Sequence, residues 1–349
     1  MLLPGTTPIL LTSFLARTHM PVINHGFKLA LVLVSLLFLP VCNAAPNWYQ
    51  KTFQVMGTEA KVEFQADSKQ LANKLISNVI AEMSRIDHLM SPFKPESELS
   101  KLNKTAFNQP LKVSFEMYHL LELSLQYSKL TNGAFDVTFS SLGYLYDFKK
   151  ELKPTQKEID RLTSSIDYQS IVLLPKIMSV KFNNRNTRID LGGIAKGHAV
   201  DQCIELLKAA GIKNAFVSAG GDSRVIGKKN DRLWYIGIRD PRDSKKLIVN
   251  LPLEEVSIST SGDYERFFIK DNIRYHHILD PKTGDSARDS RSVTILAPNS
   301  TQADALSTSI FVLGPKKGLA LINGIPNISA IIIDKEGTMS FSDDLVAAK

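Results

Sequence analysis

From Lys51 onward the chain switches between two-residue and 3.6-residue apolar periodicities in no regular alternation. A doubly wound fold repeats strand, helix, strand. This order does not, and it predicts an α+β domain with antiparallel or mixed sheets flanked by helices. Alternating runs over 51–55 and 60–64 flank Met56-Gly57-Thr58 and predict a strand pair. An amphipathic helix is expected over 68–89, with Leu71, Leu75, Val79, Met83 and Ile86 on one face, and a second over 114–130, stopped by Asn132-Gly133. Short strands follow within 170–190, then a helix over 194–210. Further strands are expected over 215–217, 234–239, 256–260, 266–269 and 273–279. Helices near 302–313 and 317–323 precede a final hairpin of 330–333 with 338–341. No repeat, low-complexity stretch or linker divides 45–349, which reads as one domain.

Composition excludes several classes. With 349 residues, 44% apolar and 8% aromatic, and only two cysteines, the chain is not disordered, collagen-like or disulfide-stapled. Of its net charge of +7, two positives, Arg17 and Lys28, lie in the first 45 residues, which hold no acidic residue. The other basic residues are dispersed without an aromatic-basic stripe, so nucleic acid is not an expected partner.

Lys28 precedes an uncharged run from Leu29 to Val41 that ends in Cys42-Asn43-Ala44-Ala45. This is the layout of an export signal, and the run is shorter than the roughly 20 residues of a membrane span. Its late start points to Met20 as the initiator, with residues 1–19 upstream of it. Leu39-Pro40-Val41-Cys42 partly resembles a bacterial lipobox, which would anchor the protein through lipidated Cys42. Val41 and Pro40 depart from that pattern, so ordinary cleavage of residues 1–44 after Ala44 is the expectation. The mature protein would work on the periplasmic side with one thiol, Cys203, read as a buried small hydrophobe.

Polar residues unlike their surroundings gather in five clusters. Asp190-Leu-Gly-Gly-Ile-Ala-Lys196-Gly197 joins a strand end to a helix start, where glycines admit close backbone approach and free amides and a lysine suit a phosphate. The same pattern serves a plain strand-to-helix turn. Asp304 and Thr308, four residues apart, share one helical face as hard oxygen donors suited to Mg²⁺; helix capping by Asp304 is the structural alternative. In His276-His277-Ile278-Leu279-Asp280-Pro281 the two histidines fall on opposite strand faces, one toward a site and one toward solvent, and His277 beside the turn is a candidate base. Ser261-Gly262-Asp263-Tyr264-Glu265-Arg266 and Gly133-Ala134-Phe135-Asp136 complete the set, each also readable as a simple turn.

Taken in order with Met56-Gly57-Thr58 and Ser97-Glu98-Leu99-Ser100-Lys-Leu102-Asn103, these motifs make the chain resemble the ApbE family of FAD:protein FMN transferases over roughly residues 54–341. The resemblance implies a Mg²⁺-dependent reaction in which FAD is split at its pyrophosphate, FMN passes to a Thr or Ser hydroxyl of an acceptor protein, and AMP leaves. It implies Mg²⁺ bound by Asp304, Thr308 and the carbonyl of Gly193, and FAD contacts from Asp190 and Lys196. Met56, Phe93, Ala134, Phe135, Asp136 and Ile278 would line the flavin or adenine pocket, and His277 would move the proton. The implied acceptor is an exported or membrane-anchored flavoprotein, such as a redox-complex subunit. The same ligands would serve an FAD pyrophosphatase giving FMN and AMP, and a third reading is non-catalytic flavin binding. After Asp136 the chain lacks the Gly-Pro of many relatives, and His198 stands where an aromatic is common.

Overall fold

The first alternating runs form β1 (Asn47–Val55) and β2 (Thr58–Ala66), antiparallel neighbours joined through a turn in which Met56 and Gly57 have φ of 53° and 70°. The structure is a computed structural model that describes residues 47–243 and 245–347. The export-signal residues, with Met20, Cys42 and Ala44, lie outside the described residues. Ser68 caps α1 (Lys69–Met90) by accepting a hydrogen bond from the Leu71 N–H at 3.2 Å, and Leu75, Val79, Met83 and Ile86 are buried as their spacing requires. In α2 (Glu98–Thr105), Asn103 brackets the backbone of Ile189, donating to its carbonyl at 2.9 Å and accepting from its N–H at 2.8 Å. That double bond orients the segment running into Asp190.

β3 (Leu111–Lys112) is followed by α3 (Phe115–Leu130) and α4 (Gln156–Leu162), and pairs with β5 (Ser179–Phe182), which in turn pairs with β4 (Ile171–Leu174). Apart from short helical turns, among them Ser140–Gly143 and Asp343–Ala347, the remaining elements are α5 (Ala195–Ala209), β6 (Ala215–Ala219), β7 (Asp222–Ile226), β8 (Trp234–Arg239), β9 (Leu247–Leu253), β10 (Val256–Gly262), β11 (Phe267–Lys270), β12 (Ile273–His276), β13 (Ser290–Ala297), α6 (Ser300–Ile322), β14 (Ser329–Asp334) and β15 (Met339–Phe341). Eight strands form one sheet in the order β1-β2-β6-β7-β10-β13-β14-β15, and every neighbouring pair is antiparallel. The fold is α+β.

Strand alternation sorts the sheet into two faces. Ala60, Val62, Phe64, Ala215 and Val217 pack with α1 and α5, together with buried Cys203, while α6 covers β10 and β13 with Leu306, Ile310 and Phe311. On the opposite face Phe216, Val225 and Ile258 meet Trp234 and Leu253 of the separate β8–β9 hairpin. Besides the two-residue β3, three strands went unread in the sequence for physical reasons. β7 begins with a charge, β9 carries Asn250 and Pro252, and β13 is buried at nearly every position, so none shows an apolar alternation. The two helices expected over 302–313 and 317–323 are the halves of α6, divided where Gly314 leaves the helical region at φ 75° before Pro315.

A buried carboxylate locks α6 to α5. Asp201 accepts hydrogen bonds from the N–H groups of Ser300 (2.9 Å) and Thr301 (2.8 Å) and from the Thr301 hydroxyl (2.6 Å), and pairs with Arg224 at 2.8 Å. It satisfies the free amides at the start of α6 and so sets where Asp304, one turn further on, stands.

Candidate active site

Asp190 shapes the approach to α5. Its Oδ1 accepts from the Gly192 N–H at 2.7 Å, and its own N–H donates to the Val137 carbonyl at 2.9 Å. The helix then carries Lys196 and Gly197 past α6. A Cβ on Gly197 would lie 2.2 Å from the Ser300 carbonyl oxygen, so only glycine lets the two helix starts come this close. The contact is functional in its consequence: the Gly197 N–H donates to Asp304 Oδ2 at 3.0 Å.

Lys196 extends into a buried acidic pair. Its Nζ lies 2.8 Å from Asp222 and 3.3 Å from Asp304, whose residues are 2% and 3% exposed, and it donates to the Gly192 carbonyl at 2.9 Å. Two carboxylates thus face one ammonium. Burial, with the Asp222 charge next, pushes the Asp304 carboxyl well above the usual carboxylate range. For Lys196 the effect of burial is outweighed by its two carboxylate partners, and it stays charged.

Hydroxyls continue the cluster from β10 to α6. Ser259 donates to Asp222 Oδ1 at 2.5 Å and lies 3.0 Å from Ser307, while Ser261 lies 2.9 Å from Ser307 and 3.4 Å from Thr308. A Cβ on Gly193 would stand 3.2 Å from Thr308 Oγ1 and 3.3 Å from the Phe135 ring, which places all three side by side. Among the described residues no three His, Cys, Asp or Glu side chains gather as a metal cage. The fitting donor set is smaller: one carboxylate, one hydroxyl and one carbonyl, suited to a hard divalent ion that keeps several waters. The excess negative charge of the buried pair supports that fit.

His277 borders this cluster. Its N–H donates to the Arg266 carbonyl at 3.1 Å, and its Nδ1 is buried without a hydrogen-bond partner among the described residues. Burial, then Arg266, His276 and Lys196, push its imidazole down to about 3, so it is neutral at ordinary pH. A Cβ on Gly57 would lie 3.7 Å from the Arg266 guanidinium, which brings the Met56 turn to the same end of the sheet.

Several expected residues are placed differently. His276 does not face solvent: it is 2% exposed, its Nε2–H donates to the Ala287 carbonyl at 2.7 Å, and its Nδ1 accepts from the Ile278 N–H at 3.3 Å. The strand stops at His276, short of 279, because the chain turns to bond with Arg266 and Ala287. Asp136 does not project into an open pocket, since its carboxylate holds the Thr138 N–H and hydroxyl and the Tyr168 N–H. Lys196, expected toward a phosphate, is turned inward onto carboxylates. Ala134, Phe135 and Ile278 are buried, and Phe93 is 84% exposed on the loop after α1. Asp222 and Ser259 were missed. The available signal was Gly220-Gly221-Asp222, which repeats the glycine-pair grammar of Gly192-Gly193.

Burial of neutral His276 has a pH consequence. Its imidazole is pushed down to about 4, chiefly by burial, from an ordinary 6.5. A depressed folded value means the contribution is fully present above pH 6.5 and is lost as pH falls toward 4, on the order of 3 kcal/mol in all. Urea midpoints between pH 7 and 4 should fall more steeply for the parent than for His276→Gln; parallel curves would refute it.

The fold and the cluster define an α+β enzyme whose buried acid–lysine–hydroxyl site sits where strand ends meet two helix starts. The ApbE family model matches residues 56–332, and the chain belongs to the ApbE family. The FAD:protein FMN transferase of Treponema pallidum is 33% identical over 306 residues, covering 82% of this chain and 84% of its own, and that of Vibrio cholerae is 30% identical over 316 residues, covering 86% and 93%. The crystal structure of the ApbE protein from Thermotoga maritima superposes with a TM-score of 0.79 at 34% identity, covering 86% of this chain and 98% of that one. The flavin transferase ApbE of Vibrio cholerae gives 0.77 at 26% identity, covering 86% and 99%.

Proposed function

We propose that this protein is an exported, Mg²⁺-dependent FAD:protein FMN transferase. The observation that carries the reading is the buried Asp222–Lys196–Asp304 cluster, two carboxylates to one lysine, beside Thr308 and Gly193. Asp304, Thr308 and Gly193 would hold the ion, which when bound neutralises charge developing on the split pyrophosphate. Lys196 keeps the two carboxylates apart, Asp201 fixes the helix that carries Asp304, and Asp190 holds the glycine turn open toward the substrate. The acceptor Ser or Thr oxygen forms a bond to the FMN phosphorus, the bond from that phosphorus to the bridging oxygen breaks, and AMP leaves with that oxygen. Neutral His277 would receive the hydroxyl proton, a role that its unpartnered Nδ1 supports.

Incubation with FAD, Mg²⁺ and a flavoprotein subunit from a membrane redox complex tests the reading. Flavin fluorescence that survives denaturation of the acceptor is the expected result. Free FMN with an unlabelled acceptor would make the protein a pyrophosphatase, and intact FAD would make it a flavin-binding protein. For His277→Asn the expected outcome is a rate loss of about 10²- to 10⁴-fold with FAD affinity little changed. An unaltered single-turnover rate would remove His277 from proton transfer.

A further inference from the structure

A groove of about 1230 Å³ runs between the β8–β9 hairpin and the sheet face opposite the helices. Its floor includes Ser218, Ser223 and Thr260, and its far wall is β8, from which every residue of Trp234–Arg239 lines it while β9 contributes none. The wall is an unpaired strand edge. Pro252 of β9 sits opposite Tyr235, and a proline is accommodated where an N–H would point away from the partner strand. Tyr235↔Pro252 and, two residues on, Gly237↔Asn250 are therefore the non-bonded pairs of this hairpin, and the N–H and C=O groups of Tyr235 and Gly237 point to the other edge. Among the described residues no other element hydrogen-bonds to them.

The groove's lining reaches the chain neighbours of the active-site residues. Gly220 and Gly221, part of its lining, lead directly into Asp222, and Glu265, also in the lining, precedes Arg266. This rim is bare backbone by necessity. A Cβ on Gly221 would lie 2.5 Å from the Thr260 carbonyl oxygen, and Gly220, at φ 61°, would bring one to 3.1 Å from Thr58 Oγ1. A chain lying along β8 thus meets no side chain from either glycine as it crosses toward the Lys196 cluster.

We infer that this groove binds the acceptor polypeptide as an added strand on the free edge of β8, delivering its Ser or Thr hydroxyl over the Gly220–Gly221 rim. The inference rests on the flavin-transfer reading and adds to it the mode of acceptor binding. An extended peptide is the occupant that matches the alternating donors and acceptors of a strand edge, with main-chain bonds supplying affinity. The occupant need not be folded; it must be extended.

The test uses synthetic peptides of about a dozen residues with random flanks around one fixed threonine, incubated with full-length protein, FAD and Mg²⁺ and scored for covalent flavin. Tyr235→Pro removes an edge donor without touching a β8–β9 bond, and Ser218→Trp fills the floor. Both should cut peptide labelling by roughly tenfold or more while FAD affinity stays within about twofold. Hydrogen exchange on the unmodified protein supplies a readout independent of variant folding: the Tyr235 and Gly237 amides should gain protection when the best-labelled peptide is added. Labelling by both variants at the parent rate, or unprotected amides, overturns the groove while leaving flavin transfer intact. Loss of FAD affinity in both variants would assign the groove to the nucleotide, and a parent protein that sediments as a dimer while both variants sediment as monomers would assign it to a second copy of this chain. If the parent protein labels the intact acceptor subunit but none of the peptides, the added-strand mode is overturned and flavin transfer stands; if it labels neither, the flavin-transfer reading itself fails.

Discussion

Asp304→Asn is expected to lower metal-dependent FAD turnover by a factor on the order of 10³ while leaving the metal-free protein at least as stable as the parent. The two effects separate because Asp304 is costly in the fold. It is buried beside Asp222 with a single lysine between them, and its ionised form is disfavoured by that burial first and by Asp222 second. Asparagine keeps an oxygen for the Gly197 N–H, now 3.0 Å from Oδ2, and removes the surplus charge. The sign follows from the raised carboxyl value: ionising Asp304 costs folding free energy once pH rises above the ordinary carboxylate range. Thermal melts in EDTA should show the variant equal to the parent in acid and more stable at alkaline pH. A variant that loses stability and activity together would make Asp304 a structural cap and not a metal ligand.

Lys196→Met should act in the opposite direction. Methionine fills the space of the aliphatic stem but leaves Asp222 and Asp304 facing each other without a cation, a loss of about 3–5 kcal/mol for breaking a buried ion cluster. Mg²⁺ should restore part of that stability, because a divalent ion at Asp304 replaces the missing positive charge. Denaturant midpoints with Mg²⁺ and with EDTA measure both effects. If Lys196 served only to contact a phosphate, its removal would weaken FAD binding without moving the metal-free midpoint. The ammonium's contacts with Gly192, Asp222 and Asp304 argue for the structural cost.

Much of the fold was legible because local periodicity reports which face of an element is buried. The face of α1 was readable from Leu75, Val79, Met83 and Ile86, and its start from Ser68, whose hydroxyl caps it. The break in α6 was readable from Gly314 and Pro315. β13 was not, because a strand covered on both sides has no alternation, and β7 was hidden by the charge that makes it functional. In the site, Asp304 and Thr308 were readable as a pair because four residues along a helix bring two side chains to one face. Asp222 was not, since its partner lies on α5 and nothing in the spacing joins them.

The sequence by itself determined most of the elements, the α+β class and the oxygen donors of α6, all of which depend on neighbours within a few turns or along one strand. Tertiary structure decided the charges. Only the crossing of α5 over α6 at Gly197 puts Lys196 between Asp222 and Asp304, and only there does burial turn two ordinary carboxylates into a pair that one lysine cannot neutralise. It also decided His276, which the alternation of β12 would have left in solvent and the Ala287 carbonyl holds inside. The reason is the same in both cases: electrostatic free energy depends on distance and burial in three dimensions, and residues far apart along the chain set both.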